Sequence, residues 1–196
     1  MTSNSSTREY QEIVQISNLI YEEYTGENFM WKNSPFKWIK HRPSRSIGAI
    51  GEKIIASWLA MHNFNVTRSP DSNADRIVEG KRVEIKFSTL WKSGDYKFQQ
   101  LRDQNYDFVI MLGISPNDAH CWVVPKEEII RLWKVEKKIC SQHGGASGSD
   151  TAWVNLTPDN TFKPLAEYGN SLSGALLSIT ELTGYSPKSF SSTFDN

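Results

Sequence analysis

Hydrophobic positions along the chain recur with two different periods. Between residues 8 and 25, Ile13, Ile16, Leu19, Ile20 and Tyr24 fall at helical spacing, with the acids Glu9, Glu12, Glu22 and Glu23 elsewhere, which predicts an amphipathic helix. A second helix is expected over "IGAIGEKIIASWLAMHNF", capped by Ser46 and stopped near Asn63, with Ile47, Ile50, Ile54, Trp58 and Met61 as its apolar stripe. Glu52 lies off that stripe beside Ala49, Ala56 and Ala60, small residues that would let another element approach closely. From residue 64 onward the period shortens. "FNVTRSP" reads as a strand, and "NADRIVEGKRVEIKFS" as two short strands joined at Glu79-Gly80. "YDFVIMLGI" is a near-continuous apolar run of the kind found in a strand buried on both faces, and "CWVVP" is another strand. "KEEIIRLWKVEKKI" predicts a charged amphipathic helix, "TAWVNL" an edge strand, and "NSLSGALLSITELTG" a final helix ending on Gly184. Helices mixed with a central group of strands indicate an α/β domain.

Length and composition narrow this picture. A chain of 196 residues fits one domain with a real core. Lys plus Arg equals Asp plus Glu at 22 each, so the whole chain lacks the basic excess that announces a nucleic-acid partner. Local patches must carry any such argument. Residues 32 to 53 hold six Lys/Arg against the one acid Glu52, and residues 81 to 102 hold six against Glu84 and Asp95. Cys121 and Cys140 form neither a disulfide framework nor a zinc spacing, which fits a reducing cytoplasm, expected here to be prokaryotic. The N-terminus lacks a basic start with an apolar run, and no window approaches 18 consecutive apolar residues. His41, His62 and His120 have no partners at ligand or triad spacing.

The chemistry concentrates in the hairpin. With a two-residue loop at Glu79-Gly80, Val78 pairs with Lys81, Ile77 with Arg82, Arg76 with Val83, and Asp75 with Glu84. Lys86 then shares the face of Glu84, while Val83, Ile85 and Phe87 point into the core with Val78. Like charges directly opposed in a sheet destabilise it, and a shared hard cation would relieve them. Mg²⁺ takes oxygen ligands and keeps several waters, so two carboxylates suffice. A three-residue loop with a glycine bulge would instead turn Asp75 away from Glu84, and the apolar pattern of the first strand does not decide between the two.

Asp75, Glu84-Ile85-Lys86 and a preceding helix bearing Glu52 together resemble the PD-(D/E)xK nuclease superfamily, best known from type II restriction endonucleases. The resemblance covers residues 47 to about 125 and implies a restriction-endonuclease-like core, a mixed β-sheet flanked by helices, within a single nuclease domain spanning 1 to 196. It implies that Asp75 and Glu84 bind Mg²⁺, that Lys86 serves the attacking water, and that Glu52 completes the catalytic and metal site. The activity implied is Mg²⁺-dependent hydrolysis of duplex DNA as by a sequence-specific type II restriction enzyme, by a homodimer if both strands are cut; the alternatives are a structure-specific junction or repair nuclease of the same superfamily, or a non-enzymatic DNA-binding module. The literal Pro-Asp of the motif occurs earlier, as Pro70-Asp71, roughly 13 Å further along an extended strand. Asp75 is therefore preferred, with Asp71 the alternative. The helix at residues 8 to 25 and the C-terminal third fall outside the motif and are candidates for dimerisation or DNA recognition.

In "STLWKSGDYKFQQLRDQ", cations and amides interleave with aromatics, so Lys92, Lys97, Gln99 and Gln100 are candidate DNA contacts. The alternative is a solvated loop followed by a short helix. Arg42 and Arg45, before the Glu52 helix, could hold a phosphate or simply solubilise the connection. His143 sits in a glycine-rich loop, residues 141 to 150, that either closes onto a groove or links two elements.

Overall fold

Glu79 and Gly80 both adopt positive φ, 47° and 81°, the pair of left-handed conformations that a two-residue turn between antiparallel strands demands. The hairpin that they close has the expected register, Val78↔Lys81, Ile77↔Arg82 and Arg76↔Val83. It belongs to a computed structural model that describes residues 8–142 and 151–185. The elements run α1 (Arg8–Met30), α2 (Lys37–Lys40), α3 (Ser44–Met61), β1 (Val66–Arg68), β2 (Arg76–Val78), β3 (Lys81–Thr89), β4 (Tyr96–Arg102), β5 (Phe108–Ile114) and β6 (Ala119–Pro125). There follow α4 (Lys126–Ile130), a π-helical turn (Arg131–Val135), β7 (Cys140–Gln142), β8 (Thr151–Leu156), α5 (Lys163–Ala166) and α6 (Leu172–Thr183). Among the described residues no helix is long and apolar enough to cross a membrane.

The fold is a mixed α/β domain. A five-stranded sheet has the order β1-β2-β3-β5-β6, with β3 and β5 parallel and the other neighbours antiparallel. The β5 strand is buried along its whole length, as its unbroken apolar run predicts. On one face of the sheet, Val83, Ile85, Ile110 and Val123 pack with Ile55 and Leu59 of α3 and Ala175 and Ile179 of α6. On the other, Val109, Met111, Trp122 and Val124 meet Tyr96, Phe98, Ala152 and Val154 of a second sheet, ordered β4-β8-β7.

Several sequence expectations are corrected here. The buried residues of α3 are Gly51, Ile55 and Leu59, whereas Met61 is exposed and Ile47, Ile50, Ile54 and Trp58 are half-buried. Glycine carries no apolar signal, so the inner stripe was hidden and a flanking one stood out. Close approach occurs at Gly51, not at the alanines: a methyl built there would lie 2.2 Å from Phe87 Cβ. The helix also begins at Ser44 behind Pro43, which leaves Ser46 inside the first turn, while Asn63 does stop it, with φ of 64°. Finally, "TAWVNL" is the central strand of the second sheet, not an edge, and the stretch before residue 102 is the strand β4, not a loop and helix.

Candidate active site

The left-handed turn fixes β2 against β3 and so fixes Asp75, the residue just before β2. The ladder ends at Arg76↔Val83, one pair short of the expected opposition of Asp75 and Glu84. Instead, the Asp75 N–H donates to Val83 O at 3.0 Å, and the Asp75 carboxylate accepts the Ile85 N–H at 2.7 Å. Its side chain thereby takes a β3 amide in place of a continued ladder. Asp75 is held at the mouth of the hairpin with one oxygen committed to the backbone.

From the opposite side, the contact of Gly51 with Phe87 seats α3 on β3 and brings the next residue, Glu52, to the same place. Glu52, Asp75 and Lys86 all line one open cavity of about 930 Å³. Arg76 Nη1 pairs with Glu52 Oε2 at 3.2 Å and donates to the Asp75 carbonyl at 2.7 Å. Lys86 Nζ pairs with Glu84 Oε1 at 2.6 Å. Glu84 is 6% exposed and does not line the cavity; it stands behind Lys86.

The electrostatics show three interacting carboxylates. Burial raises the Glu52 carboxyl above its usual range, and the Asp75 charge raises it further, against the lowering effect of Arg76 and Lys86. Burial likewise raises Glu84, opposed by the ammonium of Lys86 and reinforced by Asp75. Asp75 is therefore the charge that both neighbours feel. Among the described residues no three His, Cys, Asp or Glu side chains stand together as a ready metal cluster, and Arg76 and Lys86 each pair with one glutamate. What remains at the cavity is an oxygen-only pair, Glu52 and Asp75, whose repulsion a hard divalent cation would relieve. That donor set fits Mg²⁺, which binds through one or two carboxylates and retains water.

The other candidates divide by position. Arg45, Lys97, Gln99 and Gln100 line the same cavity. Lys92 is exposed outside it, and Arg42 lies over the Trp38 ring, 6.0 Å from its centroid. His143 falls outside the described residues. Asp71, the alternative ligand, is exposed, pairs with Arg82 and accepts the Asn73 N–H at 2.9 Å, away from the cavity. Sequence reasoning missed Arg76, the partner of Glu52, although a cation directly after the candidate acid was visible. It also missed Lys40 and Trp91 on the cavity wall. The Trp91 ring lies beneath Lys97, whose Nζ is 4.2 Å from its centroid.

Comparison with known proteins found no matching family model and no matching curated protein. Among solved structures, the chain is similar to that of a bacterial homing endonuclease, I-Ssp6803I, at a TM-score of 0.43 and 16% identity, over 71% of this chain and 99% of that one.

Proposed function

We propose that this protein is a Mg²⁺-dependent endodeoxyribonuclease of the PD-(D/E)xK type that hydrolyses duplex DNA at specific sequences, as type II restriction enzymes do. The observation that carries this reading is the meeting of Glu52 from α3, Asp75 before β2 and Lys86 of β3 on one cavity, from three separate segments. Asp75 and Glu52 would hold the ion, with Glu84 joining them once Lys86 moves off its carboxylate. A bound Mg²⁺ supplies a polarised phosphodiester and a water of lowered pKa. Lys86, freed from Glu84, faces the attacking water or the charge that develops on phosphorus. Arg76 favours the ionised form of Glu52, against burial and Asp75, and would aim it. Arg45 and Lys97 neutralise flanking phosphates.

A single cavity of this kind cuts one strand, so a double-strand break calls for two copies related by a two-fold axis. The exposed apolar side chains of α1, among them Ile13, Ile16 and Ile20, support such a pairing.

Incubating plasmid and phage DNA with Mg²⁺, with Ca²⁺ and with EDTA tests the proposal. Discrete fragments only with Mg²⁺, lost in Asp75→Asn, Glu84→Gln and Lys86→Ala, are the expected result. Binding without any cutting would reduce the protein to a DNA-binding module. Normal cutting by Asp75→Asn together with a dead Asp71→Asn would move the metal ligand.

A further inference from the structure

The β4 strand breaks its own regularity beside the cavity. Its pairing with β8 slips between Phe98↔Val154 and Leu101↔Ala152, so Gln99 and Gln100 together stand against the single residue Trp153. Gln100 takes φ of 57°, in the left-handed region that side chains other than Asn, Asp and Gly seldom enter. Of the described non-glycine residues with positive φ, it alone lies inside a strand. In a regular strand, consecutive side chains point to opposite faces. Here both consecutive glutamines line the cavity that also holds Asp75 and Lys86.

We infer that the β4 bulge is a base-reading element that sets sequence preference through the adjacent amides of Gln99 and Gln100. This rests on the proposed action on duplex DNA. A cation beside phosphate contributes affinity without sequence information, and Lys97 on the same strand is suited to that role. A primary amide differs: it carries a donor and an acceptor side by side, the pattern that matches the exposed edge of adenine in the major groove. A regular strand could aim only one of the two side chains at the duplex, whereas the bulge aims both. Backbone strain kept in a strand at the edge of a cavity is the pattern expected where the conformation itself serves the site.

The test is selection of bound duplexes from a pool with randomised positions, in Ca²⁺, by the wild-type chain and by Gln99→Ala, Gln99→Glu, Gln100→Gly and Lys97→Ala. Glycine tolerates the left-handed backbone, so Gln100→Gly removes the amide while the bulge remains. Discrimination at one or two base pairs should fall about 5- to 150-fold in Gln99→Ala and Gln100→Gly, as expected for losing a paired base contact. Gln99→Glu should change which base is preferred, since a carboxylate only accepts and favours the cytosine amino group. Lys97→Ala should weaken all sequences alike and reduce the salt slope by about one phosphate contact. Unaltered base preference in all three glutamine variants would overturn this inference and leave the proposed function intact, whereas a wild-type chain that binds and cuts duplexes without preference would overturn this inference and reduce the proposed function to a non-specific nuclease. A wild-type chain that neither binds duplex DNA nor cuts it with Mg²⁺ would overturn both.

Discussion

Gly51 and Phe87 touch so closely that the helix and the strand they belong to share one backbone-to-ring contact, with no room for a single added carbon. Because Glu52 follows Gly51 directly, this contact also sets how near a carboxylate comes to Asp75. Gly51→Ala should therefore lower stability by about 1–3 kcal/mol, the usual result of overpacking, and should lower Mg²⁺-dependent cleavage by more than the loss of folded protein explains. Urea unfolding and single-turnover cleavage on the same preparation separate the two effects.

Arg76 lowers the pKa of Glu52, working against burial and Asp75. In Arg76→Ala the Glu52 carboxyl should rise further, so the acid limb of the pH–activity profile moves to higher pH. Arg76→Lys should restore most of the shift, since it returns the charge. A profile that stays in place in Arg76→Ala would remove Arg76 from the site.

Glu84 gives a sign for stability. Its folded-state pKa is raised above the ordinary glutamate value of 4.5, so the folded chain binds this proton more tightly than the unfolded chain does. Stability from this group is consequently highest below about 4.5 and falls as pH rises through the raised folded value. Glu84→Gln should be more stable than wild type at neutral pH, by about 0.5–2 kcal/mol, while losing cleavage. The gap should close at acid pH. Urea midpoints at several pH values decide this.

A divalent cation that relieves the repulsion among Glu52, Asp75 and Glu84 must stabilise the fold. At a hundred times its Kd the gain is about 2.7 kcal/mol. Thermal unfolding with and without Mg²⁺ or Ca²⁺ should show it, and Asp75→Asn should abolish it. An equal gain in that variant would place the ion elsewhere.

Much of this arrangement was readable in the residues. The two-residue turn at Glu79-Gly80 was one of two loops that the residues allowed, and the left-handed φ of both residues is what selects its register. The unbroken apolar run of β5 announced its burial on both faces. The second sheet was less visible, because the bulge spaces the buried residues of β4 as Tyr96, Phe98 and Leu101, which suits neither a strand nor a helix. The inner stripe of α3 was masked for another reason: its closest contact is made by a residue with no side chain. Arg76 escaped notice because pairing with Glu52 depends on how a helix docks, and that geometry is tertiary.

Only residues 90 to 95 separate β3 from β4; they are cross-linked by Trp91 N–H to Asp95 O and by Gly94 N–H to Trp91 O, and the flanking strands are tied by Lys97 N–H to Ser88 Oγ. This turn thus acts as a ruler. On the proposed reading, lengthening or shortening it would displace the bulge relative to Lys86 without altering either, so the offset between the bases recognised and the bond broken would be set by these six residues.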